Sequence, residues 1–290
     1  MKKIVWIFAA ALALAACTKT DPASPAGSGN NDQKEQTEEP DEPKPDDPKP
    51  TEGAQLYNMS FDLWSEDKNH YPLPYAADAT EAEQAVWASA NSTTAGLGFP
   101  TLAKEDSFVA VKGEGKHAVK VQTQGVDFFI VKKLAAGSIF TGRVGDIDIS
   151  KMSASIFWGV PFTDRPAKLE GYYCYQPKTI DWVQAPYTNL KGQTDTGHIM
   201  VILSDWDSQF EVSPPDKLLD VDNNPGIIGY AKIEFKESMS AYQPFSLEIK
   251  YRNDRTPKQV TVVCASSALG DYFTGAAGSV LYVDELKFVY

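Results

Sequence analysis

The segment QPFSLEIKYR, residues 243–252, alternates without a break. Phe245, Leu247, Ile249 and Tyr251 fall on one side, and Ser246, Glu248, Lys250 and Arg252 on the other. A period of two with one apolar face suits a half-buried strand and gives a helix no continuous face to bury. Comparable runs occur at LYNMSFDLW (56–64), HAVKVQT, DFFIVKK, GSIFTGRV, SASIFWGV, LEGYYCY, GHIMVIL, GIIGYAKIEF, KQVTVVCA and SVLYVDELKFVY, with turn residues between them. These amount to about a dozen β-branched and aromatic strands. The one helix start is Thr80-Glu81-Ala82-Glu83, a capping-box spacing that predicts about two turns. Helices long enough to cover a parallel sheet are missing from the pattern. The expected fold is therefore all-β, an antiparallel two-sheet β-sandwich spanning residues 55–290.

The beginning of the chain obeys different rules. MKK is followed by the apolar run IVWIFAAALALAA and then by Leu14-Ala15-Ala16-Cys17. A short basic and apolar leader ending in small residues reads as a secretory signal, too short to span a bilayer. A cysteine at the first mature position resembles the bacterial lipobox, which makes residues 1–17 a lipoprotein signal and Cys17 the expected lipidation site. Residues 18–54 are rich in proline and charge, as in EEPDEPKPDDPKP, and are read as a disordered linker unable to bury enough apolar surface to fold. That segment holds ten acids and four lysines, a net of −6, which is half of the −12 of the whole chain. The folded block is thus only mildly acidic. Its sequence shows no basic patch for nucleic acid, and the expected membrane contact is through the lipid alone. The expected location is the cell envelope, at the outer membrane, with the side left open.

Catalytic motifs are sparse. A G-x-S-x-G elbow and paired Cys/His spacing are both missing, and His70, His117 and His198 lie in unrelated contexts, the latter two as strand residues. Asp205 and Asp207 flank Trp206 in a turn-like stretch, where acids are usually solvated. Asp220, Asp222 and Asn224 open like a calcium loop, but Pro225 and Ala231 stand where an EF-hand needs Gly and Glu, so the stretch reads as a polar turn. Cys174 and Cys264 are read as separate buried thiols.

Four further pieces carry a resemblance: Trp87-Ala-Ser-Ala-Asn91, AAGSIFTGRV (135–144), PFTDRPAKLEGYYCY (161–175) and SSALGDYFTGAAGSVLYVDELKFVY (266–290). Their order and spacing resemble the carbohydrate metabolism domain (PCMD) family of Bacteroidetes lipoproteins. The resemblance implies a jelly roll similar to carbohydrate-binding modules, with a sugar pocket. Sugars present apolar C–H faces ringed by hydroxyls, so aromatic rings beside polar groups are the residues to seek. Trp87 and Trp64 are the candidate stacking rings, Asn91 and Arg165 the candidate polar contacts, and Asp271 and Tyr272 the candidate rim in a glycine-rich loop. Trp158, in phase with Ala154, Ile156 and Val160, reads as core.

No catalytic residue, metal ligand or cofactor is assigned. Asp284 on the last strand is the one candidate for a structural calcium of the kind jelly-roll modules carry, without a defined ligand set. The expected function is lipid-anchored, non-catalytic glycan binding. A structural or adhesion role without a sugar site and, third, glycoside hydrolysis are the alternatives. Cells fed a labelled fatty acid are expected to label this protein, and Cys17→Ser is expected to lose the label; label retained by the variant would refute the lipobox reading.

Overall fold

The computed structural model describes residues 52–128, 131–148 and 153–290, all within one compact unit, Pro48–Tyr290. The leader, Cys17 and all but the last three residues of the proposed linker lie outside the described residues.

The sandwich has a five-stranded and a nine-stranded sheet, every pairing antiparallel. In order across the smaller sheet run Gln243–Glu248, Lys168–Gln176, Val280–Val289, Ala118–Gln122 and Leu102–Glu105. The larger runs Phe210–Val212, Ser153–Trp158, Ser138–Asp148, Gln259–Ala265, Gly197–Ser204, Ile227–Phe235 and Lys250–Tyr251. Trp87–Ser89 pairs with Ser138–Asp148, and Val160–Pro161 with Gln259–Ala265. The chain crosses between sheets repeatedly, as jelly rolls do. A small hairpin, Gln124–Phe128 with Val131–Ala135, stands beside them.

The main core lies between the sheets. Val119, Val121, Leu169, Tyr175, Leu281 and Val283 face Ile199, Val201, Leu203, Val260, Val262 and Cys264. A second apolar layer covers the other face of the large sheet: Phe140, Trp158, Met200, Ile202, Val212, Ile227, Val263 and Ala265. Gly197–Ser204 is consequently buried at all eight positions. Its alternation sends Ile199, Val201 and Leu203 into the main core, and Met200 and Ile202 into the outer layer.

Several sequence expectations change form. LYNMSFDLW is a turn, because Asn58 and Phe61 adopt left-handed φ of 52° and 57°. The Asn58 amide closes it, accepting from Leu63 N at 3.0 Å and donating to the carbonyls of Leu63 and Pro74. Met59 and Phe61 are buried, whereas Leu63, expected on the same face, is 41% exposed. The DFFIVKK run contributes to both arms of the small hairpin rather than to one strand; its Phe129 and Ile130 lie outside the described residues. QPFSLEIKYR is divided after Glu248, so that one alternating segment edges the small sheet and then joins the large one. The capped helix is one turn, Glu81–Gln84, with the Thr80–Glu83 box formed as expected. Trp158 is buried, but in the outer layer, while Val160 faces the main core. Gly159 lies between them at φ 108°, a conformation that breaks the alternation.

The closing strand is tied to the start of the fold. Gln55 Oε1 accepts from Phe288 N at 2.7 Å and Gln55 Nε2 donates to Phe288 O at 2.9 Å. The strand also holds a bulge. Glu170 pairs with Lys287 but Tyr172 with Asp284, and the extra residue includes Glu285 at φ 50°. The inward set shifts phase there, from Leu281 and Val283 to Leu286 and Phe288. Cys174 and Cys264 are buried free thiols.

Leu281→Ala removes a fully buried side chain from between the sheets. It is expected to cost about 2–5 kcal/mol, read as a lower denaturant midpoint at unchanged slope; a change below ~1 kcal/mol would mean the core is not organised around this strand.

Candidate functional site

Two concavities flank the short helix Asn91–Thr94. The first is a cleft of about 410 Å³ lined by Asp67, Tyr71, Pro72, Pro74, Tyr75, Gln84, Arg143 and the Trp87–Asn91 segment, among others. Its wall is fixed by local turn chemistry. Asp67 Oδ1 accepts from the backbone N–H groups of Asn69 at 2.8 Å and Tyr71 at 2.9 Å, closing the Ser65–Leu73 hairpin. Arg143 lies across the Phe157 ring, 3.7 Å from its centre, and donates to Gln209. The rings of Tyr71 and Tyr75 are partly exposed, and two prolines stiffen the chain between them.

The second concavity has two lobes, of about 150 Å³ and about 50 Å³. Ala136, Ser138, Phe140, Ile156, Gly270 and Asp271 line both. The loop that carries Asp271 is held by a buried polar hub. Asp195 accepts from Ser267 Oγ at 2.6 Å, Ala276 N at 2.8 Å and Thr196 N at 2.8 Å. Thr123 Oγ1 meets the hydroxyls of both Ser266 and Ser267. Trp182 and Gly275 exchange backbone hydrogen bonds on the far side of the loop. Gly270 is required where it is: a Cβ there would come within 2.3 Å of the Ala136 Cβ. The Gly270–Tyr272 turn then sets Asp271 over the outer face of the large sheet. Burial pushes its carboxyl up to about 6.

The residues singled out from sequence are thus divided. Trp87 and Asn91 share the cleft, and Asp271 lines the lobed cavity. Trp87 does not offer the open ring face expected of it. It is 4% exposed, packs against Phe61 with ring centres 5.1 Å apart, and donates its indole N–H to Tyr57 O at 2.8 Å. Asn91 is likewise occupied. Its Oδ1 accepts from Thr101 N and Leu102 N, and its Nδ2 donates to Leu102 O. Trp64 packs against the main core and donates to Phe61 O, not lying on a strand's polar face. Arg165 lines neither concavity. It stacks over Tyr251 at 4.0 Å and donates to the carbonyls of Asn253 and Arg255. Tyr272 sits beside Asp271 but packs edge-on against Tyr187, 4.8 Å between centres.

Asp284, the calcium candidate, is 1% exposed and accepts from Ala110 N at 2.7 Å. Nearby, Lys116 Nζ lies 2.7 Å from both Asp62 and Glu285. Among the described residues no cluster of metal-ligating side chains forms. Asp205 and Asp207 are paired with Arg255 and Lys258, and Asp220 closes its own turn on Asn223. The sequence reading passed over Tyr71, Tyr75 and Arg143. The hairpin signal was present in the Asp67–Tyr71 stretch, but nothing local ties it to residues 142–144.

Because the Asp271 carboxyl holds its proton to about pH 6 in the folded state and to about 4 when unfolded, stability is lost as pH rises through that interval. Asp271→Asn removes this loss. Relative to wild type it is expected to gain about 1 kcal/mol between pH 4 and pH 7, a value discounted for the partial exposure of the residue. Melting of both proteins at the two pH values reads the gap, and the same Asp284 titration in both cancels. A gap that does not open means the carboxyl is fully solvated.

The fold recurs in solved structures. A protein described as a putative glycoside hydrolase from Bacteroides thetaiotaomicron is 23% identical, with a TM-score of 0.59 over 83% of this chain and 72% of that one. Another so described, from Bacteroides vulgatus, is 18% identical, with a TM-score of 0.55 over 78% of this chain and 89% of that one. At these identities the likeness is one of fold. Among curated proteins none matches. A family model described as "Putative carbohydrate metabolism domain" matches residues 60–289, nearly all of the sandwich, and the chain therefore belongs to that carbohydrate-related family.

Proposed function

We propose that this protein is a lipid-anchored, non-catalytic glycan-binding module of the cell envelope, held off the membrane by residues 18–54 and acting in polysaccharide capture. The observation that carries the reading is the cleft beside Trp87 in a chain of a carbohydrate-related family. At about 410 Å³ it falls within the usual range of small-molecule sites. Tyr71 and Tyr75 offer rings to sugar C–H faces, and Asp67, Gln84 and Arg143 offer polar groups to hydroxyls. Trp87 and Asn91 serve from beneath: the indole forms the floor, and the Asn91 amide fixes the floor to Thr101 and Leu102.

A hydrolytic reading requires two carboxyl groups across one bond. Among the described residues Asp67 is the one acid that lines the cleft, and backbone N–H groups already occupy its Oδ1. One observation favours hydrolysis, the raised pKa of Asp271, which suits a general acid. Product formation on a bound glycan is the measurement that would promote that alternative.

A glycan array probed with the full chain is expected to yield a ligand. Tyr71→Ala and Tyr75→Ala are each expected to weaken it by about tenfold or more while changing stability by less than ~1 kcal/mol. Failure to bind any glycan would favour the structural or adhesion role, and cleavage of the bound glycan would favour the hydrolase.

A further inference from the structure

The deep lobe of the second cavity ends on a histidine that no other described residue satisfies. His198 stands on the outer face of the central strand, opposite Ala265, and is 7% exposed. Neither Nδ1 nor Nε2 has a hydrogen-bond partner among the described residues. Both nitrogens lie beneath the cavity surface, and buried polar groups are almost always paired, so a hydroxyl entering the lobe would supply a bond that the ring lacks once the ring turns toward it. Burial pushes its pKa down to about 3, which keeps the ring neutral, with one N–H donor and one acceptor nitrogen. A sugar hydroxyl can give or take a hydrogen bond, so a single hydroxyl suits whichever nitrogen turns toward the lobe.

The walls narrow the chemistry further. Phe140, Ile156, Trp158, Met200 and Val263 make them apolar, suited to the C–H face of a ring. Among the described residues no Lys or Arg lines either lobe; Lys232, near enough to His198 to disfavour its charged form, is paired with Glu234 at 2.5 Å, and Lys133 is seated over the Phe273 ring, 4.2 Å from its centre. A uronate, sulfate or phosphate entering here would lose its hydration without a counter-ion, which is strongly unfavourable. Asp271, where the two lobes meet, is placed to accept from a hydroxyl. The lobes are small beside the cleft, with room for one ring rather than a chain. Val144 lines both the outer lobe and the cleft, so the two concavities adjoin across it.

We propose that the cavity between Asp271 and His198 is a chain-end subsite for a single neutral sugar unit, whose neighbouring units pass over Val144 into the cleft. This rests on the glycan-binding reading and adds to it the charge of the ligand, its polarity along the chain and the residue that reads its end.

The test uses the full chain with ring-15N-labelled histidine and neutral gluco-, manno- and xylo-hexasaccharides, beside an oligogalacturonate hexamer. Each neutral hexasaccharide is also prepared with its reducing end reduced to the alditol and, separately, with its opposite terminal unit altered, by oxidation to the uronate for the hexose chains and by O-methylation for the xylose chain. At least one neutral hexasaccharide is expected to bind and to shift the His198 ring signals, with His70 and His117 as internal controls. One of its two end-modified forms is expected to bind at least tenfold more weakly, and the oligogalacturonate not at all. His198→Gln is expected to lose at least tenfold in affinity with its melt close to wild type; should that variant fail to fold, the wild-type signals decide. Binding that leaves the His198 signals unmoved, or that ignores both end modifications, or that prefers the galacturonate, would overturn the subsite and leave the glycan-binding reading standing. No binding to any hexasaccharide, while the array also yields no ligand, would overturn both.

Discussion

The large sheet is apolar on both faces, and the rest of the structure follows from that constraint. Its central strand, Gly197–Ser204, has no exposed position. A strand that buries one face needs one covering layer; this one needs two. The five-stranded sheet supplies the first, pressing Leu281 and Val283 against Ile199 and Val201. The second cannot be another sheet, because the remaining chain is spent in turns and short strands. Side chains of the sheet's own edge strand Phe210–Val212 and of the Leu218–Val221 stretch join Met200 and Ile202 in that layer instead. Each buried aliphatic or aromatic side chain stabilises the fold by roughly 1.5–3 kcal/mol, so neither layer can be left open.

Covering an apolar face with loops leaves gaps where the loops end, and both concavities belong to this outer side of the sheet. Their loops are fixed by polar groups rather than by packing. Asp195 gathers Ser267, Ala276 and Thr196 and fixes the segment that presents Asp271. Its burial raises its own pKa, a desolvation that four hydrogen bonds, the fourth from Ser279, offset in part. Asn91 does the corresponding work beside the cleft, joining the one-turn helix to Thr101 and Leu102. The polar side chains nearest the candidate site thus divide into those that hold backbone, such as Asn91 and Asp195, and those with capacity left over, such as His198.

How far the sequence could be read depended on whether a residue's fate was settled by its near neighbours. The alternation of QPFSLEIKYR and of KQVTVVCA is a local property, and most of the strands form where it predicts. The Thr80–Glu83 box is local too, and it forms. LYNMSFDLW alternates just as well, yet it turns, because Asn58 reaches forward to Leu63 and Pro74 and Phe61 takes a left-handed conformation against Trp87. Period two states which residues could share a face; it does not state that a sheet edge is there to receive them. Trp87 shows the same limit at a site residue. Sequence marked it as a ring beside small polar residues, and only its contact with Phe61, distant in the chain, made it a floor instead of an open platform.

By itself the sequence determined the class of fold, all-β and antiparallel, since a period of two with turn residues at short intervals admits little else. It also determined the family, through segments spread from Trp87 to Tyr290. Tertiary structure alone decided which aromatics are core, that Arg165 is spent on the carbonyls of Asn253 and Arg255, and that His198 ends a cavity beneath Asp271. The reason is physical. A strand's pattern fixes which way a side chain points relative to its neighbours, but a cavity is made where several elements fail to meet. His198 and Asp271 are separated by more than seventy residues, and no local rule of hydrophobic period or turn chemistry records what lies across a gap of that kind.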